Sequence, residues 1–242
     1  MLNRFKGKIS SILIAICFYT SNAVGQSYSE ADFKRMKPPL YSTDEWYTLN
    51  VSTDEFSVFN KNGQLEITKA GGDTNTQFKL PKGRLIGIDR GEFGGELKYI
   101  PNGKPKEVVQ IKSGNVKLIF QYHDSIYFFE GLAHLSVNNG ALYRLDTANN
   151  IFAYTGIVGF EDAPEAFAIY NNQILIASHE SFYILHNGFK KEVVLRNTFW
   201  QSLYPNSIAV IDEKHVYIGI RSGYVKLNLK TKELTFYKYR SE

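Results

Sequence analysis

The sequence predicts an all-β chain: a small β-propeller, built of five four-stranded blades, after an N-terminal signal peptide. Three observations carry that reading. Arg84-Leu85-Ile86-Gly87-Ile88, Ile126-Tyr127-Phe128-Phe129-Glu130, Ile174-Leu175-Ile176-Ala177-Ser178 and Val216-Tyr217-Ile218-Gly219-Ile220 each bring an apolar strand to a pivot and then a turn. The pivots at 87, 129, 177 and 219 lie 42, 48 and 42 residues apart, the period of one propeller blade. Asn62-Gly63, Asn102-Gly103, Asn139-Gly140 and Asn187-Gly188 are hairpin signals, because both residues tolerate positive φ. Aromatics make up 14% of residues, mostly Tyr and Phe, which suit strands.

Residues 1–25 read as a signal peptide. Arg4, Lys6 and Lys8 form a basic start, Ile9 to Tyr19 is mostly apolar, and Ala23-Val24-Gly25 offers small residues before a cut near Gly25/Gln26. The apolar run is too short for a membrane span of roughly twenty residues, so no stable membrane insertion is expected. Cys17 raises a lipoprotein alternative, against which bulky Ile16 stands where processing wants a small residue. A periplasmic or secreted location follows. Of the 28 Lys and Arg, three lie in this segment, and none of the 24 Asp and Glu, so the remainder carries a net charge of +1. That balance argues against nucleic acid as a partner, which needs clustered cations. Without Cys17 no cysteine remains, so the exported chain is disulfide-free and rests on its core.

Residues 26–44 read as a polar leader, with a short helix over Ser29 to Met36 that Pro38-Pro39 would stop. Residues 45–242 form the propeller domain. Trp46 to Ala70 supplies about three strands and Gln77 to Ile111 the next unit. Val116–Gln121, Ile126–Glu130, Ala141–Leu145 and Ile151–Thr155 follow, with a longer connection between the second and third. Ala166–Tyr170, Ile174–Ser178, Phe182–Leu185 and Glu192–Leu195 make the fourth unit, and Ser207–Ile211, Val216–Ile220, Tyr224–Leu229 and Glu233–Tyr239 the last. Closure by a terminal strand from the other end would protect an exposed edge. Four or six blades, or an antiparallel sandwich or barrel, are the alternatives.

Val216 to Leu227 resembles repeats of the two-component-regulator and PQQ-like propellers, in which a strand ending in Gly turns through a polar residue and Gly into a Leu-containing strand. Gly95-Glu96-Leu97 and Gly140-Ala141-Leu142 echo the second half, and Leu145-Asp146 with Asn149-Asn150 the strand exit. Phe129 departs from the pattern, and the Trp-Asp ending of WD40 blades is missing. The resemblance implies a fold and leaves function open.

The chain has no Gly-x-Ser-x-Gly elbow, zinc-helix motif, phosphate loop or dinucleotide fingerprint, and no motif asks for a cofactor. His179-Glu180 begins a zincin-like pair, but Tyr183 replaces the second His. Asp146 to Asn150 is read as a capped turn in preference to a calcium loop, because Ala148 replaces a ligand. On the blade template, second-to-third-strand turns and inter-blade connections open on one face. That face would gather Asp89, Arg90, Glu92, His134, His179, Glu180 and Arg221, together with Glu161, Asp162 and Glu165. The connection Thr198 to Asn206 adds Phe199, Trp200 and Tyr204, read either as packed between blades or as an exposed anchor.

Three functions are compatible. The first is an exported non-catalytic binding protein, such as a periplasmic inhibitor or immunity protein or an envelope-complex subunit. It would hold a partner protein through Arg90, Glu92, His134, His179, Glu180, Trp200, Tyr204 and Arg221. The second is a propeller enzyme, a hydrolase, lyase or quinone-dependent enzyme, with Asp89, Glu92, His134, His179 and Glu180 around a channel and a small molecule as substrate. The third is a carbohydrate-binding propeller, weakened because the aromatic loop at Trp200 is not repeated.

Overall fold

The computed structural model describes residues 26–71, 75–148 and 151–240. The expected signal peptide, with Cys17, lies outside the described residues, as does the Asn149-Asn150 end of the capped turn. Along the chain come β1 (Ser27–Tyr28), β2 (Phe33–Met36), helix α1 (Asp44–Asn50), β3 (Phe56–Lys61) and β4 (Gln64–Lys69). The next unit is β5 (Asn75–Leu80), β6 (Gly83–Asp89), β7 (Gly95–Pro101) and β8 (Val109–Ser113). The third is β9 (Val116–Tyr122), β10 (Ser125–His134), β11 (Val137–Asp146) and β12 (Ala153–Phe160). The fourth is β13 (Pro164–Tyr170), β14 (Gln173–Ser178), β15 (Phe182–Leu185) and β16 (Lys191–Leu195). The last is β17 (Ser207–Asp212), β18 (His215–Ile220), β19 (Gly223–Leu227) and β20 (Leu234–Tyr239).

These strands form five antiparallel sheets in a propeller-like arrangement. Three have four strands in chain order, the first has three in the order β1-β4-β3, and the last has five because β2 adds beyond β20. Apolar clusters join consecutive sheets. Leu85, Leu97, Val116 and Phe128 join the second and third, and Phe120, Phe129, Ile176 and Tyr183 the third and fourth. Leu175, Phe182, Trp200, Val216 and Phe236 join the fourth and fifth, and Phe33, Phe56, Ala209 and Tyr224 the fifth and first. Gly219, a pivot of the sequence repeat, is small for a reason: a Cβ there would collide with the Phe56 carbonyl of β3. Phe129, the pivot that departs from the pattern, is fully buried and stacks on Phe120 at 5.4 Å.

The leader holds the termini together. β1 pairs with β4 at the outer edge of the first sheet, and β2 pairs with β20 at the outer edge of the fifth. Phe33, between them, sits 5.1 Å from Phe56 and 5.0 Å from Tyr224. The expected helix over Ser29 to Met36 is therefore replaced by one short 3-10 turn, Glu30–Asp32, and a strand. Pairing with β20, some two hundred residues away, overrides the local preference. Asp32 fixes the turn, its Oδ2 accepting from the Ser29 amide at 2.7 Å and the Ser29 hydroxyl at 3.0 Å. Asp32→Ala is expected to lower stability by about 1 kcal/mol, as loss of a capping side chain does; an unchanged urea midpoint would show that the turn needs no side chain.

Two further expectations are corrected. The stretch from Trp46 begins as helix α1, and the third strand of the first sheet comes from the leader. Thr43 caps α1 by accepting from the Trp46 amide, and Asp44 and Glu45 complement the positive end of the helix. Trp46 and Leu49, one turn apart, are buried, and the Trp46 indole donates to the Phe199 carbonyl at 2.8 Å. Asn139-Gly140 is not a turn; it lies inside β11, and β10 and β11 are ten-residue strands joined at Leu135-Ser136. Gly140 is required because a Cβ would run into the Pro164 ring and the Glu130 carbonyl. Among the described residues no helix is long and apolar enough to cross a membrane.

Candidate functional site: a charged mouth at one face

The β6–β7, β10–β11, β14–β15 and β18–β19 turns carry the residues singled out above, and the inter-sheet connections join them. At the rim the 3-10 turn Gly91–Phe93 presents Glu92, whose carboxylate meets His134 Nε2 at 2.7 Å across two sheets. Buried Asn115 shapes that turn, accepting from the Arg90 amide at 3.3 Å and donating to the Gly91 carbonyl at 2.7 Å. Arg90 itself is exposed.

Deeper in, three sheets contribute one charge cluster. Lys117 of β9 places Nζ 2.7 Å from Glu165 Oε2 of β13 and 3.1 Å from Asp89 Oδ2 of β6. Burial opposes the Lys117 charge, but the pull of Glu165 and Asp89 together outweighs it and holds the ammonium above its ordinary pKa. Glu165 is pushed up by burial, with Asp89 and Asp162 adding to the rise and Lys117 opposing it. One cation shared between two half-buried carboxylates cannot neutralise both, so the upward shift falls on Glu165, the less exposed of the two.

Beside this cluster, buried Asp162 accepts from the Glu180 amide at 2.8 Å and takes a short hydrogen bond from the Tyr183 hydroxyl. Burial, then the bond to Asp162, pushes the Tyr183 phenol far up. Burial, and then Asp162, also raises Glu180. His179 is lowered by burial, partly offset by Asp162, with the Lys117 charge adding to the lowering. Asn138 ties the group together, accepting from the Ala163 amide at 3.0 Å and reaching Glu180 Oε1 at 3.4 Å. His179 is connected to the next loop through Ser202, 3.5 Å away.

That loop is where the sequence reading of an exposed anchor fails for one residue. Trp200 is fully buried, its indole donating to the Ser178 carbonyl at 3.1 Å, and Phe199 and Leu203 are buried with it. The loop folds inward between the fourth and fifth sheets, so Trp200 is a core residue and offers no partner contact. Tyr204 is 48% exposed and carries the Arg221 guanidinium over its ring at 4.4 Å. Arg221 is fixed from behind by Glu55 at 2.8 Å and by the Asn50 carbonyl at 2.7 Å, at the C-terminal end of α1. Ser222 satisfies the Leu49 carbonyl there at 3.1 Å.

The eight residues thus divide into three groups on the mouth: Glu92 with His134 and the neighbouring Arg90, His179 with Glu180, and Tyr204 with Arg221. Trp200 lies beneath. Lys117, Tyr183, Asn138 and Glu55 were not singled out from the sequence. A lone Lys between Val116 and Leu118 in an innermost strand was the available signal for the first. Among the described residues no group of three His, Cys, Asp or Glu is arranged to hold a metal ion. Neither a protein-family model nor a curated protein sequence matches this chain.

Proposed function

We propose that this chain is an exported, non-catalytic binding protein that holds a partner protein on its charged mouth, in the manner of an inhibitor, immunity protein or envelope-complex subunit. Export rests on the reading of residues 1–25. The observation that carries the binding role is the Tyr204–Arg221 pair, an exposed ring with a guanidinium held over it by groups of a different sheet and helix. Tyr and Arg dominate binding hot spots, and a side chain already fixed in place loses little entropy when a partner arrives. The His179–Glu180 turn supplies adjoining polar contacts that are pre-oriented by Asp162.

The test uses the chain from Gln26 as bait against the source's own envelope and secreted fractions. A single stoichiometric protein is expected, with Tyr204→Ala and Arg221→Ala each weakening its affinity by about thirtyfold, the size of a ~2 kcal/mol hot spot. Retention unchanged by both substitutions would remove the reading. A second reading, a small-molecule enzyme, is favoured by Glu165: a carboxyl biased toward its protonated form beside Asp89 is what general acid catalysis uses. An empty bait together with turnover abolished by Glu165→Gln would establish it instead.

A further inference from the structure

A second site lies away from the mouth, on the fifth sheet. Lys226 of β19 stands opposite Thr235 of β20, and Tyr237 of β20 stands opposite Arg35 of β2, so these four side chains share one face. His215, at the start of β18, belongs to the same face two residues from Tyr217, which pairs with Lys226. Deeper along it Tyr224 stacks on Tyr237 at 4.8 Å and 6° before the face is covered by Phe33 and Phe56. Where that cover ends, the β17–β18 turn with Lys214 and the β19–β20 connection with Asn228 and Glu233 wall off a cleft of about 310 Å³.

The cleft gathers cations that the fold does not neutralise. None of Arg35, Lys214 and Lys226 forms an ion pair with a described carboxylate, whereas His215 Nδ1 is held by Asp212 at 2.8 Å. The acidic groups that face it are Glu233, which lines the cleft and accepts from the Thr231 hydroxyl at 2.9 Å, Asp212, held on His215, and Glu30, whose charge reaches Tyr217 and Tyr224. Burial, with Glu30 adding to it, pushes the Tyr217 phenol up to about 12. The hydroxyls that line the cleft itself are those of Thr235 and Tyr237.

We propose that this cleft binds a small molecule bearing a phosphate or sulfate group. Three unpaired cations converge from separate elements on a concavity lined by hydroxyl donors, which is the donor set a tetrahedral oxyanion takes. Its volume equals that of about ten waters at ~30 Å³ each, more than a bare oxyanion fills and at the lower bound for small-molecule pockets. Arg35 belongs to the leader strand, so the cleft is complete only when β2 is paired with β20. The proposal is independent of the partner-binding role of the mouth.

The test is an amide NMR titration of the chain from Gln26 with inorganic phosphate, glucose 6-phosphate and glucose, at constant ionic strength. Saturable shifts confined to β2, β19, β20, the β17–β18 turn and the β19–β20 connection are expected, with a dissociation constant of about 1 mM for the partly exposed charges. Lys226→Gln and Arg35→Gln should each weaken phosphate about fivefold with folding unchanged by circular dichroism. Lys34→Gln, on the opposite face of the same strand, should leave it intact. Tighter binding of glucose 6-phosphate than of phosphate supports the proposal, and equal binding overturns the organic part of the ligand and leaves an oxyanion site alone. Failure to saturate with any phosphate, or equal weakening by Lys34→Gln, overturns the site.

Discussion

Trp200→Ala is expected to cost about 3–5 kcal/mol of folding stability, read as a fall in the urea midpoint. Trp200 is fully buried in the cluster that joins the fourth and fifth sheets, 6.2 Å from the Phe199 ring and among Leu203, Val216 and Phe236. Its removal leaves a cavity that these neighbours, held in the loop and on the fifth sheet, cannot collapse to fill. The Ser178 carbonyl would also lose the indole donor 3.1 Å away, which adds about 1 kcal/mol. Trp200→Phe keeps most of the packing and is expected to lose less than half as much. A full-length alanine variant with an unchanged midpoint but weakened partner binding would return Trp200 to the surface role that its residue type alone suggested.

Trp200 also marks where a single sequence stops being informative. Its loop holds three aromatics and a Leu, which is equally the composition of an exposed anchor and of a segment tucked between two sheets. What decides is the space left between the fourth and fifth sheets, a property of their packing and not of the loop. The blade period was legible because each pivot is set by local turn chemistry and by close approach to a neighbour, as at Gly219. The leader was not, because Phe33–Met36 becomes a strand only through pairing with β20. Helix α1 was hidden in the same way: the Trp46 and Leu49 spacing was present, but seven residues give too short a period to separate from strand alternation. The mouth was foreseen as a face, since the template sorts turns by side. Its charge cluster was only partly foreseen, since Lys117 meets Asp89 and Glu165 across three sheets.

Lys117→Met is expected to cost about 3–5 kcal/mol at neutral pH, the penalty for leaving buried charge without its partner. The loss should depend on pH in a direction that the cluster dictates. Burial already holds the Glu165 pKa above its ordinary value near 4.5, against the opposing pull of Lys117. Removing the lysine raises it further. Below pH 4.5 or so the folded and unfolded chains both carry the proton, and Glu165 does not penalise folding. As pH climbs from that ordinary value toward the raised one, the unfolded chain releases the proton while the folded chain retains it, so stability falls with rising pH. The deficit of the Met variant relative to the parent should therefore be smallest below pH 4.5 and grow toward neutrality. Adding Glu165→Gln should reduce the pH dependence and recover part of the loss, because the amide has no charge to strand while Asp89 still lacks its cation. A deficit that is the same at every pH, or that Glu165→Gln deepens, would mean that Lys117 stabilises the three-sheet junction by packing its methylene chain and not by compensating the two acids.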